Sequence, residues 1–316
     1  MYKMKLLYST IFCLAIFLSH AQSLKPGEGY VNVEGGRIWY RIVGSGKKPP
    51  LLLIHGGPGS TSCSGIPGYS LLADERPIIF YDQLGSGRSD RPTDTSLWRV
   101  DRFTNEIDSI RKTLHLDKLH ILGHSWGGVV LLEYMARRPK GVMSAIFEGP
   151  LISTPLWIHD AEILLKGMPT ALQDTINKYE AERRYDAPSY LAATDSFYAR
   201  HLSVSKWPRN KSAECDSVRD NDQVYNYMWG PTEFRATGTL RDYDHEDYLS
   251  HIIGPVLFIG GQYDEARPET LYRFQKKVTE SRVIIIPNAG HLQIIDQPGS
   301  FTEAVRTFMS DAESRK

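Results

Sequence analysis

The sequence predicts an α/β fold in which a mostly parallel central sheet is flanked by helices and interrupted by a long helical insert. Short, nearly continuous apolar runs recur along the chain, and such runs are typical of parallel strands covered on both faces. They occupy residues 51–54, 78–81, 119–122, 142–147, 256–259 and 283–286. Between Leu151 and Tyr248 these runs stop and the chain turns polar, with helix-like stretches rich in Tyr, Arg, Asp and Trp. That change of pattern indicates the insert.

The composition is that of a soluble globular chain. The 316 residues include 37 basic and 37 acidic side chains, so the formal net charge is zero. A hydrophobic share of 41% and a charged share of 23% are close to the usual globular mix, which excludes disordered, collagen-like and coiled-coil chains. Because nucleic-acid binders usually carry a basic excess, we expect no nucleic-acid partner.

The N-terminus has the pattern of a secretory signal peptide over residues 1–21. Lys3 and Lys5 precede an apolar stretch, and the small residues Ser19 and Ala21 suit a cut after Ala21. The stretch is short for a transmembrane helix, which needs about 20 apolar residues, so an uncleaved anchor is the less favoured alternative. We expect a mature chain without a membrane span, in the periplasm or outside the cell.

The remaining elements complete the prediction. Residues 31–33 and 37–43 flank a glycine turn and predict a β-hairpin. Residues 98–114 have the apolar spacing of a helix, and a final amphipathic helix starts after Pro298. The predicted organisation is a signal peptide (1–21), the N-terminal part of the core (22–150), a helical cap (151–248) and the C-terminal part of the core (249–316).

Removal of the signal leaves two cysteines, Cys63 and Cys215. In an oxidising compartment they could pair, but their separation in sequence does not reveal their distance in space. The sequence therefore leaves this disulfide open. Two cysteines do not supply the four ligands of a usual zinc site, and no metal is expected.

The central motif is Gly123-His124-Ser125-Trp126-Gly127, a G-x-S-x-G sequence between a predicted strand and a predicted helix. A serine on so sharp a turn requires glycine two residues away on each side, because a β-carbon there would clash with the backbone. The turn raises the hydroxyl above the sheet at a helix N-terminus, where the dipole favours developing negative charge. We therefore predict that Ser125 is a nucleophile.

Two later strand ends offer partners for Ser125. A serine hydroxyl needs a base to remove its proton, and the order that accompanies this motif is nucleophile, acid, histidine. Asp264 follows the run 256–259, and His291 follows the run 283–286. Because ligands bind at the carboxyl ends of strands in open α/β sheets, these positions predict a triad of Ser125, Asp264 and His291.

Attack on a carbonyl also needs donors aimed at the oxyanion. The backbone N–H of Trp126, the residue after the nucleophile, is one candidate. The glycine-rich segment after the run 51–54 offers the other, with Gly57 preferred and Gly56 as the alternative. A tight turn without this role is the structural alternative for either glycine.

With these motifs the chain resembles the α/β-hydrolases called proline iminopeptidases, or prolyl aminopeptidases, of peptidase family S33. The likeness covers most of the mature chain and is weakest over residues 151–224. The matching segments are HGGPG at 55–59, YDQLGSGRS at 81–89, GHSWGG at 123–128, GPTEF at 230–234 and GQYDE at 261–265. The first and third are shared with many α/β-hydrolases, whereas the second and fourth are more particular to this family.

The resemblance implies a serine peptidase, without cofactor, that removes the N-terminal residue, preferably proline, from peptides with a free N-terminus. Members of the family bind the N-terminal amine with glutamates, and Glu233 and Glu265 match those positions. An α-amino group is mostly cationic at neutral pH, which suits carboxylates. The alternatives are a solvated cap residue for Glu233 and a loop-orienting role for Glu265. Glu148 is a third acid near this edge without a matched role.

Other interpretations stay open at this point. Aromatic residues at 225–229 could wall a pocket for the pyrrolidine ring or serve ordinary packing. An esterase or amino-acid amidase could use the same triad, although such enzymes need no paired glutamates at the amine end. A catalytically inactive binding protein of this fold has no need of the full triad. The sequence does not predict an oligomeric state.

Overall fold

A computed structural model describes residues 24–205, 213–215 and 217–315; the predicted signal peptide lies outside them. The strands are β1 (Gly27–Val33), β2 (Gly36–Val43), β3 (Leu51–Ile54), β4 (Ile78–Tyr81), β5 (Leu119–His124), β6 (Val142–Glu148), β7 (Val256–Gly261) and β8 (Ser281–Ile286). They form one sheet in the order β1-β2-β4-β3-β5-β6-β7-β8. β1 and β2 make the predicted hairpin and β2 pairs antiparallel with β4, whereas the other neighbours are parallel.

Helices cover both faces of this sheet, as its buried strands require. They are α1 (Ile66–Tyr69), α2 (Val100–Thr113), α3 (Trp126–Ala136), α4 (Thr154–Lys166), α5 (Thr170–Glu182), α6 (Pro188–His201), α7 (Asp222–Met228), α8 (Pro268–Gln275), α9 (Gln293–Asp296) and α10 (Pro298–Ser314). The predicted helices at 98–114 and after Pro298 are α2 and α10. None of the described helices is both long and apolar enough to span a membrane.

The core consists of two apolar layers, one on each face of the sheet. Successive strand residues point to opposite faces. Leu52 and Ile54 of β3 pack in the layer that contains side chains of α2, α3 and α8, whereas Leu51 and Leu53 pack in the layer that contains α1 and α10. The predicted mostly parallel α/β fold is confirmed.

The chain leaves the sheet after β6 and returns at β7, and the predicted helical insert lies between them. Helices α4, α5 and α6 pack around an apolar cluster of their own, which includes Leu165, Ile176 and Phe197. The Ser153 side chain caps α4 by accepting a hydrogen bond from the Leu156 N–H. In the described part of the insert, β structure is limited to isolated bridges.

A disulfide between Cys63 and Cys215 joins the insert to the segment that follows β3. The two cysteines are 152 residues apart in the sequence. Both are buried and pack with Val218. The bond fastens the insert to the core beside the carboxyl edge of the sheet. The pairing of Cys63 with Cys215, which the sequence left open, is therefore present in the structure.

We expect the double variant Cys63→Ala/Cys215→Ala to lose about 2–5 kcal/mol of unfolding free energy, because the crosslink restricts the unfolded chain. Urea unfolding of both proteins under oxidising conditions measures the loss. Reductant should destabilise the native chain and leave the double variant unchanged. Equal midpoints for the two oxidised proteins would contradict this expectation.

Candidate active site

Ser125 stands on a sharp turn between β5 and α3. Its φ of 54° lies in the left-handed region, a strained conformation for a residue with a β-carbon. A β-carbon at Gly123 would overlap the carbonyl group of Gly127, and one at Gly127 would overlap the carbonyl oxygen of Ile54. Close backbone approach therefore requires glycine on both sides of Ser125, for the reason that the motif predicts.

His291 and Asp264 form a hydrogen-bonded pair at the same edge of the sheet. The His291 Nδ1 atom is 2.7 Å from the Asp264 Oδ1 atom, and both side chains are buried. His291 lines the same cavity as Ser125. Gly149, with a φ of 47°, lies against the pair, since a β-carbon there would be 2.8 Å from His291 Nδ1. The structure thus brings together the three residues predicted as a triad.

Three further hydrogen bonds fix the Asp264 carboxylate. Its Oδ2 atom accepts from the Gly261 N–H at 3.1 Å and from the side-chain amide of Gln293. Its Oδ1 atom accepts from the Ala266 N–H at 2.9 Å. These bonds hold the carboxylate in the orientation that meets His291 Nδ1. Sequence reasoning missed Gln293, whose only signal is a polar residue two positions after His291.

The loop after β3 brings its backbone close to the nucleophile. A β-carbon at Gly56 would lie 2.9 Å from the Ser125 Cβ atom, and the adjacent Gly57 has a φ of 60°. Because α3 begins at Trp126, the Trp126 N–H lies in the first turn, where no helix carbonyl reaches it. Both predicted oxyanion donors, Gly57 and Trp126, line the cavity.

The segment YDQLGSGRS holds this loop. Gln83 donates its backbone N–H to His55 Nε2 at 3.0 Å and accepts the indole N–H of Trp126 at 2.8 Å. Asp82 accepts the backbone N–H and the hydroxyl of Ser62 at 2.9 and 2.8 Å. The segment therefore connects the loop after β3 to the turn that carries the nucleophile.

Glu233 and Glu265 line the same cavity as Ser125. Glu265, next to Asp264, is buried, whereas Glu233 comes from the insert and is partly buried. The Tyr225 hydroxyl donates a hydrogen bond to Glu233. The two carboxylates, far apart in sequence, therefore form an acidic side of the cavity. The hydroxyl contact of Tyr225 was not predicted, since the sequence indicated only an apolar wall there.

The carboxylates determine the protonation of the site. Burial alone would lower the pKa of His291, but the charges of Asp264, Glu265 and Glu233 outweigh burial and raise this pKa to about 9. Burial and the charges of Glu233 and Asp264 raise the pKa of Glu265 to about 8, against the opposing charge of His291. Carboxylates held together in a low dielectric do not all ionise without a cation nearby. The acidic side is therefore suited to a bound cation.

Another buried acid, Glu148, lies at the end of β6. Its side chain accepts a 2.5 Å hydrogen bond from the Tyr69 hydroxyl, and its Oε1 atom has no partner among the described residues. Burial raises the pKa of Glu148 to about 8, although the hydrogen bond from Tyr69 opposes this. The Glu148 backbone carbonyl accepts the Ser125 N–H at 2.9 Å. Glu148 thus contacts the turn of the nucleophile through its backbone.

The cavity has a volume of about 230 Å³. Trp157, Trp229 and Leu151 form apolar walls, and the Trp157 ring meets the His291 ring edge to face at 5.4 Å. Of the predicted aromatic wall at 225–229, Tyr225 and Trp229 line the cavity. Within the part of the chain that the structure describes, no group of three or more His, Cys, Asp or Glu side chains could hold a metal ion.

Comparisons with known proteins agree with this geometry. The model of the alpha/beta hydrolase fold family matches residues 49–298. A proline iminopeptidase of Heyndrickxia coagulans is 39% identical over 285 residues, which cover 90% of this chain and 98% of that protein. The crystal structure of a Mycobacterium smegmatis proline iminopeptidase has a TM-score of 0.83 at 29% identity, with 90% of this chain and 98% of that chain covered. The crystal structure of VinJ has a TM-score of 0.84 at 32% identity, with 91% and 100% covered.

Family match, full-length similarity and fold thus agree with one another, and the chain belongs to the proline iminopeptidases of the α/β hydrolase fold.

Proposed function

We propose that this protein is a serine aminopeptidase that removes the N-terminal residue, preferentially proline, from peptides. The observation that carries the proposal is the shared cavity of Ser125, His291 and the paired carboxylates Glu233 and Glu265. A nucleophile that shares its cavity with two carboxylates is suited to a substrate whose reacting carbonyl and positive charge belong to the same residue. A free peptide N-terminus has this arrangement.

In the proposed mechanism, His291 accepts the proton of the Ser125 hydroxyl as its oxygen attacks the carbonyl carbon of the first residue. Asp264 orients the imidazole through Nδ1 and stabilises the imidazolium. The tetrahedral intermediate collapses when His291 gives the proton to the departing peptide nitrogen. Water, deprotonated by His291, then hydrolyses the acyl-enzyme and releases the amino acid and Ser125.

The negative oxygen of the tetrahedral intermediate requires preorganised donors. We assign this role to the backbone N–H groups of Gly57 and Trp126. Their position depends on the hydrogen bonds of Gln83 to His55 and to the Trp126 indole. Gln83 thus connects the loop that carries Gly57 to the first residue of α3.

Glu233 and Glu265 are the proposed ligands of the N-terminal ammonium group. A cation bound between them offsets the charges that raise the pKa of His291, so that the bound substrate favours the neutral imidazole needed as a base. An N-acylated substrate brings no cation and leaves buried carboxylates unpaired, which is costly. Substrate charge therefore contributes both to binding and to activation of the base.

We also infer that the chain is exported. The basic N-terminus, the apolar stretch and the small residues before Gln22 support a cleaved signal. The Cys63–Cys215 disulfide supports the same inference, because disulfides persist in oxidising compartments. N-terminal sequencing of the protein from its native cells should begin at Gln22, and a mature chain that begins at Met1 would contradict export with cleavage.

The central test compares proline p-nitroanilide with its N-acetylated form. We expect the free-amine substrate to be cleaved with a kcat/KM about a hundredfold or more above that of the acetylated one, because only the former pairs the carboxylates. Ser125→Ala should lower kcat for the free amine by at least about a thousandfold, since no other group replaces the nucleophile.

The outcomes separate the alternatives. Equal cleavage of both anilides would identify an esterase or amidase and remove the roles of Glu233 and Glu265. Cleavage of neither anilide by the folded protein would indicate a binding protein. Substantial activity of the Ser125→Ala variant would exclude Ser125 as the nucleophile.

We expect Glu265→Gln to raise the unfolding free energy and to lower the activity. With a native pKa of about 8, this carboxyl stays protonated while the unfolded chain ionises above about pH 4.3. Its contribution to stability is therefore complete at low pH and falls as the pH rises toward 8. The variant should be more stable than the native chain at pH 8 by on the order of 4 kcal/mol, with a gain of only about 1 kcal/mol at pH 5. Its kcat/KM for proline p-nitroanilide should fall at least about tenfold.

Urea unfolding at pH 5 and pH 8 measures this difference. Glu303→Gln is the matched control, because Glu303 is exposed on α10 and should change neither stability nor activity. A Glu265→Gln protein that is less stable at pH 8, or equally active, would contradict the expectation.

A further inference from the structure

The lining of the cavity draws on both core layers, and its parts differ in chemistry. The acidic side, with Glu233 and Glu265, is used by the proposed function. The other side is an apolar recess, defined here by Leu53, Tyr69, Phe80, Leu122, Ile294 and Ile295. These six side chains belong to the apolar layer that contains α1 and α10. The walls Trp157 and Trp229 instead belong to the layer on the opposite face.

The direction of the substrate follows from the acidic side, and the inference therefore rests on the proposed function. If the N-terminal ammonium lies at Glu233 and Glu265, the first residue occupies the space between these carboxylates and Ser125. Trp157, Trp229 and Leu151 are the apolar walls available to its ring. The peptide nitrogen that leaves, and the residue attached to it, must extend away from the carboxylates. The remaining lining includes polar residues such as Ser60, Thr61, Ser64 and His124, and the apolar recess is its largest continuous set of apolar side chains.

The lining of the recess favours apolar over charged side chains of a substrate. Leu53, Phe80 and Leu122 are at most 4% exposed and come from three adjacent strands, so they form a rigid floor. The single polar atom in its lining side chains, the Tyr69 hydroxyl, is already bonded to Glu148. An acidic side chain that entered would lose water without gaining a counter-ion from these residues, and it would approach the buried Glu148 behind Tyr69, which is costly. An aliphatic or aromatic side chain would gain by burial.

We propose that the apolar recess binds the side chain of the second residue of the peptide, so that the preferred substrates are peptides with an N-terminal proline followed by a large apolar residue. Ile295, which is partly exposed, stands at the accessible rim of the recess. It is therefore a specificity-determining residue for the second position.

The first experiment measures kcat/KM for Pro-Leu-NH₂, Pro-Gly-NH₂ and Pro-Asp-NH₂ with the purified protein. We expect Pro-Leu-NH₂ to exceed Pro-Gly-NH₂ by on the order of tenfold, as for other apolar pockets, and Pro-Asp-NH₂ to be the poorest substrate. Equal values for the leucine and glycine amides would overturn the inference while the aminopeptidase activity stands. Cleavage of none of the three would instead overturn the proposed function.

The second experiment introduces a negative charge at Ile295 and measures the preference for the second residue. Ile295→Asp should lower the ratio of Pro-Leu-NH₂ to Pro-Gly-NH₂ at least about fivefold and raise Pro-Lys-NH₂ relative to Pro-Leu-NH₂. Ile253→Asp is the matched control, because Ile253 is 66% exposed and lies outside the cavity lining, so both ratios should stay at the native value.

Two results would overturn the assignment of the recess. An unchanged leucine-to-glycine ratio in Ile295→Asp would show that Ile295 does not contact the second residue. A change in the preference for proline over alanine at the first position, with the second residue held constant, would assign the recess to the first residue instead. If the aspartate variant does not fold, Ile295→Ala, which removes apolar contact without adding charge, should reduce the same ratio.

Discussion

The site depends on one electrostatic constraint: the imidazole of His291 lies close to several carboxylates that are wholly or partly buried. His291 is hydrogen-bonded to Asp264 and is acted on by the charges of Glu265 and Glu233. In a low dielectric these groups are stable only if the negative charge is partly protonated or balanced by a cation. In the free site the neighbouring carboxylates raise the pKa of His291, and burial and the same charges raise the pKa of Glu265, so both groups favour their protonated forms. A substrate ammonium can take over that role, which links binding to release of the base.

The scaffold imposes this arrangement because the ends of parallel strands gather at one edge of the sheet. Ser125 follows β5, Glu148 ends β6, Asp264 follows β7 and His291 follows β8. The insert adds Glu233, and the disulfide holds the insert beside this edge. Buried acids and the strained backbone of Ser125 are destabilising by themselves. The two apolar layers of the sheet and the crosslink offset that cost.

The strands, the insert and the convergence of Ser125, Asp264 and His291 were predictable from sequence because each rests on a local pattern: an apolar run, a glycine turn, a strand end. Contacts between distant segments that no such motif marks were not predictable. The disulfide joins cysteines 152 residues apart, and no local pattern encodes their distance. Gln293 donates to Asp264 from the short helix α9, and a lone glutamine in that position carries no motif that predicts the contact. The same holds for the bond from Tyr69 to Glu148, which unites α1 with β6 across a core layer.

The two-sided cavity follows from the same alternation that builds the core. Adjacent residues on a strand face opposite layers, so a cavity at the strand ends meets side chains of both. On one face, the layer behind the cavity continues into the insert with Trp157 and Trp229. On the other face the strand floor of Leu53, Phe80 and Leu122 stays apolar. Ser125 lines the cavity that both layers border. A peptide bond held at Ser125 is therefore flanked by a polar region for its amine end and an apolar region for its leaving end, and the order of the two sets the direction in which a substrate binds.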